Sequence, residues 1–350
     1  MFRKNSISII SVLLFLLLMT GCSKKEPNTE DPSTPIEELP EEDELETPAE
    51  DDRREVLDYI KQISGKYTIT CIHNREPNAK PTTQTDHIFS TTGLTPAMWS
   101  GDFLFSKADV DNRWIMIEEC KNQWEQGSIV HLMLHVTSPK QGEVGKWEGG
   151  VLTKLTDNEW ADLIEDGGEL NKLWKKRLDT YCEYLQYLED NEVTVLFRPF
   201  HEMNQSVFWW GGRPGENGTS ALYRLTRDYI ENEKGLDNII WLWNVQDLDL
   251  EWEDYNPGDE YWDIFCVDIY NTDGYTKEKY DLAVSIAKDK PIGIGECMVL
   301  PTLDELEVQP RWVFCMSWAE LTFENNTSEA IRNHYWSKGT LVREELPNFK

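Results

Sequence analysis

The sequence predicts a single (β/α)8 barrel, an α/β fold of the TIM type, on three observations. Eight short apolar runs recur along the chain, helix-like or loop-rich stretches separate them, and no glycine-rich phosphate loop follows the first run. An open doubly wound sheet would carry such a loop after its first strand. The runs are Tyr67 to His73, Thr95 to Trp99, Ser128 to His135, Val193 to Pro199, Asn238 to Asn244, Ile264 to Tyr270, Pro291 to Glu296 and Trp312 to Trp318. Runs such as Val193-Thr194-Val195-Leu196-Phe197 and Ile239-Ile240-Trp241-Leu242-Trp243 are apolar without alternation, which parallel strands covered on both faces require. Between them, Glu169 to Asp190 places Leu170, Leu173, Trp174, Leu178, Tyr181, Cys182, Leu185 and Leu188 on one helical stripe. Ala221 to Glu233 and Lys277 to Ala287 read as helices by the same spacing.

Two segments precede this domain. In residues 1–22, Arg3 and Lys4 lead into an apolar run from Ile7 to Met19, shorter than a comfortable membrane span and therefore an export signal. It ends at Met19-Thr20-Gly21-Cys22, which resembles a bacterial lipobox and makes Cys22 the expected lipid anchor of an outer-membrane lipoprotein. Residues 23–52 are dense in Pro, Glu and Asp and nearly devoid of large apolar side chains, so they are expected to form a disordered, self-repelling tether. Residues 53–350 are then the barrel domain.

The formal net charge of −30 argues against nucleic acid, whose phosphates select basic stripes. A neutral polymer suits better: the chain has 15 tryptophans and 13 tyrosines, and flat aromatic faces stack on sugar rings while carboxylates and amides bond their hydroxyls. Cys71, Cys120, Cys182, Cys266, Cys297 and Cys315 show no metal-site spacing, four of them lying in strand-like runs where cysteine is a small hydrophobe. No disulfide, metal or cofactor is expected, and the membrane is met only through the lipid.

Barrel enzymes carry their chemistry at the carboxyl ends of the strands. Reading the runs in order, those ends offer His73, Asp102, His135, the segment Arg198 to Asn204, Asn244 with Gln246, Asp268 with Tyr270, Glu296, and Trp318 with Glu320. The densest is Phe197-Arg198-Pro199-Phe200-His201-Glu202-Met203-Asn204, followed by Phe208-Trp209-Trp210-Gly211-Gly212. A carboxyl there, beside apolar walls, is pushed up in pKa and suits a general acid, which makes Glu202 the expected proton donor. Glu296, after Gly295 in the seventh run, faces it across the mouth and is the expected nucleophile, with Tyr270 and Arg198 holding it ionised. His135 and His201 are candidates to bond sugar hydroxyls, Trp318 to floor the ring being cleaved, and the Trp209-Trp210 pair with the loop Val136 to Thr153 to line distal subsites. Asp102 and Arg198 complete the candidate substrate-binding set.

The motif Arg198-Pro199-Phe200-His201-Glu202-Met203-Asn204 with Trp209-Trp210-Gly211 resembles the acid/base motif of glycoside hydrolase family 26. Pro96-Ala97-Met98-Trp99-Ser100-Gly101-Asp102, His131-Leu132-Met133-Leu134-His135, Asp268-Ile269-Tyr270 and Trp318 resemble that family's other strand ends in the same order. The resemblance implies a retaining endo-β-1,4-mannanase acting on mannan, galactomannan or glucomannan and on manno-oligosaccharides, with Glu202 as proton donor, Glu296 as nucleophile, and His135, His201, Tyr270 and Trp318 around the scissile sugar; a monomer is expected. It also suggests a Bacteroides-type lipoprotein. The sequence departs from the family at Gln205-Ser206 and at Cys297-Met298, beside the catalytic residues. Alternatives are a mixed-linkage β-glucanase or β-1,3-xylanase on the same scaffold, or a surface glycan-binding protein that has lost the chemistry; a metal-dependent hydrolase lacks its ligand spacings.

Overall fold

All eight apolar runs form strands in the computed structural model, which describes residues 52–349. The expected export signal, the Cys22 anchor and the acidic tether lie outside the described residues. The strands are β1 (Thr68–His73), β2 (Met98–Asp102), β3 (Ile129–Met133), β4 (Val195–Arg198), β5 (Ile239–Gln246), β6 (Ile264–Ile269), β7 (Ile292–Cys297) and β8 (Trp312–Ser317). Each pairs in parallel with the next, and β8 pairs with β1, so the sheet closes into a (β/α)8 barrel. Burial explains the unbroken apolar runs: every residue of β1 to β4 and of β6 to β8 is buried.

Several sequence expectations shift. The second strand begins at Met98 rather than Thr95, because Pro96 has no N–H for a ladder; Pro96 instead makes an isolated bridge to Val342. Asp102 is consequently the last residue of β2 and wholly buried. The third helix pattern fits without change at Lys277–Ala287, capped by the Thr276 hydroxyl. The long helix runs Glu169–Glu189 and buries Trp174, Leu178, Tyr181, Cys182, Leu185 and Leu188 against the barrel, while Leu173 from the expected stripe faces solvent at 48% exposure. The helix expected over Ala221 to Glu233 starts at Thr219 and relaxes into a π turn at Tyr229–Glu233. A short β9 (Thr340–Leu341) beside β1 was not foreseen.

The six cysteines among the described residues are buried free thiols. Register irregularities in β6 and β7 set Glu296 opposite Asp268, so that two acidic side chains of neighbouring strands enter the barrel at one level.

Candidate active site

Arg198, the last residue of β4, is fully buried at the centre of the mouth. Its Nη2 donates to Glu296 Oε1 at 2.6 Å, and its Nη1 to both oxygens of Asp268 at 3.0 and 3.1 Å. Asn244 on β5 donates to Asp268 Oδ1 at 2.7 Å and accepts from the Glu202 backbone N–H at 2.6 Å. Tyr270 donates its hydroxyl to Glu296 Oε2 at 2.8 Å. Gly295 is required by this network: a Cβ there would lie 2.5 Å from Asp268 Oδ1 and 2.6 Å from Asn244 Nδ2. The close approach that Gly295 permits is made to the charged network itself.

Glu202, Asp268 and Glu296 each place a carboxylate oxygen within 4.8 Å of the others. Three buried carboxylates thus crowd beside one guanidinium, which pairs with two of them. Arg198 stays protonated against its burial because Asp268 and Glu296 flank it. Glu202 has no cation in ion-pair contact among the described residues, and burial, then the charges of Asp268 and Glu296, push its carboxyl well above the usual range. Burial, then the Glu296 charge, push Asp268 well above the usual range as well, while Arg198 and the Asn244 hydrogen bond oppose the rise there; Glu202, with no ion-pair partner among the described residues, is the better seat for the proton. Burial and the Glu296 charge also push the Tyr270 phenol up, so it remains a donor. The same triad is the one acidic cluster among the described residues with metal-binding spacing, but Arg198 already supplies positive charge to two of its members.

Backbone strain gathers here. Of the five non-glycine residues with positive φ among the described residues, Glu202 (49°) is in the site, Leu104 (51°) lines the adjoining cleft and Ala319 (37°) follows Trp318.

The other side of the mouth is built from histidines. Asp102 braces His135: its carboxylate accepts hydrogen bonds from the ring Nδ1–H at 2.5 Å and from the backbone N–H at 3.0 Å. This leaves His135 Nε2 for a ligand. Although burial alone would raise it, Asp102 is held well below the usual carboxylate range by His135. His201 packs against His135 with ring centroids 4.3 Å apart, and burial pushes its pKa down, so the ring is neutral; its Nδ1 is buried without a partner. Trp318 is half-buried and stacks on His73 at 4.3 Å. His135, Trp318 and the exposed Trp147 line a cleft of about 550 Å³ with Arg75, Leu104 and Phe105.

With this constellation in view, the comparisons with known proteins are decisive. Residues 45–339 match the profile of glycosyl hydrolase family 26. The chain belongs to that family. A mannan endo-1,4-beta-mannosidase of Thermothelomyces thermophilus is 28% identical over 333 residues, covering 91% of this chain and 66% of its own length. One from Bacillus subtilis is 27% identical over 314 residues, covering 85% and 81%. Among solved structures, GH26A from Muricauda sp. superposes with a TM-score of 0.81 at 31% identity, covering 86% of this chain and 99% of the other.

Within this family 26 barrel, the expected site residues divide. Glu202, Glu296, Tyr270, His135, His201 and Trp318 converge at the mouth. Four expectations of direct sugar contact are corrected. Arg198 and Asp102 are fully buried and spend their hydrogen bonds on Glu296, Asp268 and His135, so they position other residues. Trp209 and Trp210 are also buried, their indole N–H groups donating to the Val136 and His201 carbonyls, and they form the wall behind Phe208 and His201. The exposed aromatic on that side is Trp147, 5.6 Å from the His135 ring and 5.9 Å from Phe208. Sequence reading reached its loop but not the residue. Asp268 shows in the sequence only as a charge at a strand end; its place against Arg198 appears in the fold.

Proposed function

We propose that this family 26 chain is a retaining endo-β-1,4-mannanase with Glu202 as acid/base and Glu296 as nucleophile. One observation carries the reading: Glu202 and Glu296 approach within 4.8 Å in different settings, one with its carboxyl pushed up by burial and crowding, the other held by hydrogen bonds from Arg198 and Tyr270. Inverting enzymes keep their carboxyls about 6.5–9.5 Å apart to admit a water, whereas retaining ones bring them to about 5 Å.

In the first step a Glu296 oxygen bonds the anomeric carbon as the glycosidic C–O bond breaks, and Glu202 gives its proton to the departing oxygen. In the second, Glu202, now a carboxylate, takes a proton from water; the water oxygen bonds the same carbon and Glu296 is released. Arg198 and Tyr270 each donate to one oxygen of the attacking carboxylate and so fix its orientation. His135 Nε2, Trp318 and Trp147 face the cleft where a neutral sugar would lie. The names of the relatives support mannan as the substrate.

Reducing-sugar release by the purified protein from galactomannan, glucomannan, mixed-linkage glucan and β-1,3-xylan tests the substrate, with NMR of the first-formed anomer testing the mechanism. Cleavage confined to the two mannans, with β-anomer formed first, is expected. An α-anomer would remove the retaining mechanism, and cleavage of only the other polymers would remove the mannanase reading.

A further inference from the structure

Behind Tyr270 lies a buried ion-pair cluster that none of the chemistry above uses. Lys279, in the helix Lys277–Ala287, is 4% exposed, yet its ammonium carries a full set of partners: Asp247 Oδ2 at 2.8 Å, Asp273 Oδ1 at 2.5 Å and the Gly274 carbonyl at 2.8 Å. Asp247 is 2% exposed and follows β5 directly. Its carboxylate accepts the backbone N–H of Tyr270 at 3.1 Å and that of Asn271 at 3.2 and 3.3 Å, while its carbonyl accepts from the Asn271 amide. Its own N–H donates to the Asp268 carbonyl at 3.0 Å.

We infer that Lys279 and Asp247 are positioning residues for the nucleophile, acting through the Tyr270 backbone; the inference rests on the hydrolase reading above. A strand ends at Ile269, so nothing in the β-ladder fixes the peptides of Tyr270 and Asn271. A carboxylate accepting two successive backbone N–H groups does so, and the Lys279 ammonium pairs with that carboxylate inside the protein and holds it in place. The consequence reaches the reacting atom in one step, because Tyr270 Oη is 2.8 Å from Glu296 Oε2. Stability alone is a poor reason for such a cluster, since well-packed apolar residues of equal volume commonly serve as well as a buried ion pair. Its place at the carboxyl end of the barrel is where precision in the site is set.

The test is a double-mutant cycle. Lys279→Met and Lys279→Arg are made in the full chain, each alone and with Tyr270→Phe, and kcat and KM are measured on mannohexaose alongside Tm. Lys279→Met is expected to lower kcat about tenfold with KM within about twofold, and Lys279→Arg to recover most of the loss. In the Tyr270→Phe background Lys279→Met is expected to change kcat less than about twofold, since the group it positions is gone. An equal loss in both backgrounds, or a fall in Tm with kcat unchanged, overturns the inference. Should Lys279→Met not fold, Asp273→Asn removes a single contact from a half-exposed partner and carries the same cycle, with about threefold expected against none. A wild-type chain inactive on every mannan would instead remove the hydrolase reading before any variant is compared.

Discussion

On the β4–β7 side of the mouth three carboxylates crowd beside one guanidinium that pairs with two of them, whereas on the β1–β3 side His73, His131 and His135 are strung along one serine and one carboxylate. His73 Nδ1 and His131 Nδ1 each lie 2.8 Å from Ser100 Oγ, and Asp102 holds His135. Burial pushes His73 down to about 3 and His131 well below its ordinary value, so both are neutral rings. One half therefore concentrates charge, where a small displacement of a proton or an oxygen changes reactivity. The other half sets the neutral rings of His73 and His131 behind His135, Trp318 and Trp147, which line the cleft where a sugar would lie. The division separates bond-making from holding, and it predicts that each half can be disturbed without the other.

The largest expected effect lies within the charged half. On an aryl β-mannobioside with an activated leaving group, Glu296→Ala is expected to lose about a thousandfold or more in kcat, because no bond forms without the nucleophile. Glu202→Ala is expected to keep its first step, since that leaving group needs no proton, and to accumulate glycosyl-enzyme. Azide then restores turnover in Glu202→Ala by attacking the intermediate, with a β-glycosyl azide as product. An α-glycosyl azide from Glu202→Ala would show the two roles reversed.

A smaller effect tests whether the halves are separate. Asp102→Asn replaces an acceptor that fixes the His135 tautomer with an amide that can present N–H to Nδ1 and turn Nε2 into the protonated nitrogen. The expected loss in kcat/KM is about tenfold, the weight of one hydrogen bond of about 1.4 kcal/mol. The basic limb of the pH–rate profile should stay in place, because it reports the proton on Glu202. If that limb moves with Asp102→Asn, the two halves are one electrostatic unit and the comparison fails.

The two halves also differed in how far the sequence revealed them. The eight strands were legible because burial on both faces leaves an unbroken apolar run, and the polar residue ending each run was legible for the same reason. Which of those ends meets a ligand was not. Trp209, Trp210, Arg198 and Asp102 stand in the same motifs as Glu202 and His135, yet the first two are walls and the last two are braces. Burial of a side chain at a strand end depends on what the neighbouring loops lay over it, and those contacts join residues such as Val136 and Trp209, 73 positions apart. Trp147 was hidden for the converse reason: it sits in a loop of Gly, Lys and Glu without periodicity, where only the folded chain shows that it faces His135. Asp247 escaped notice because its partner Lys279 stands 32 positions away, in the helix that follows β6 rather than in any motif.

The smallest prediction concerns what the charged half costs. Glu202 carries a raised pKa and a strained backbone at φ 49°, both of which oppose folding. Below the ordinary glutamate value of 4.5 the carboxyl is protonated in folded and unfolded chains alike, and nothing is lost. As pH rises through 4.5 the unfolded chain releases its proton while the folded chain retains it, so wild-type stability falls until the raised folded pKa is passed. The side-chain amide introduced by Glu202→Gln has no proton to release and keeps the shape of the protonated acid. Glu202→Gln is therefore expected to be more stable than wild type at neutral pH by about 1 kcal/mol, a few degrees of Tm in a domain of this size, with the difference shrinking to nothing near pH 4. Scanning calorimetry across pH 4 to 8 reads this directly. A variant less stable than wild type at pH 7, or a difference independent of pH, would mean that Glu202 is ionised in the folded state and that the crowding of three carboxylates is relieved elsewhere, with Asp268 as the group that holds the proton.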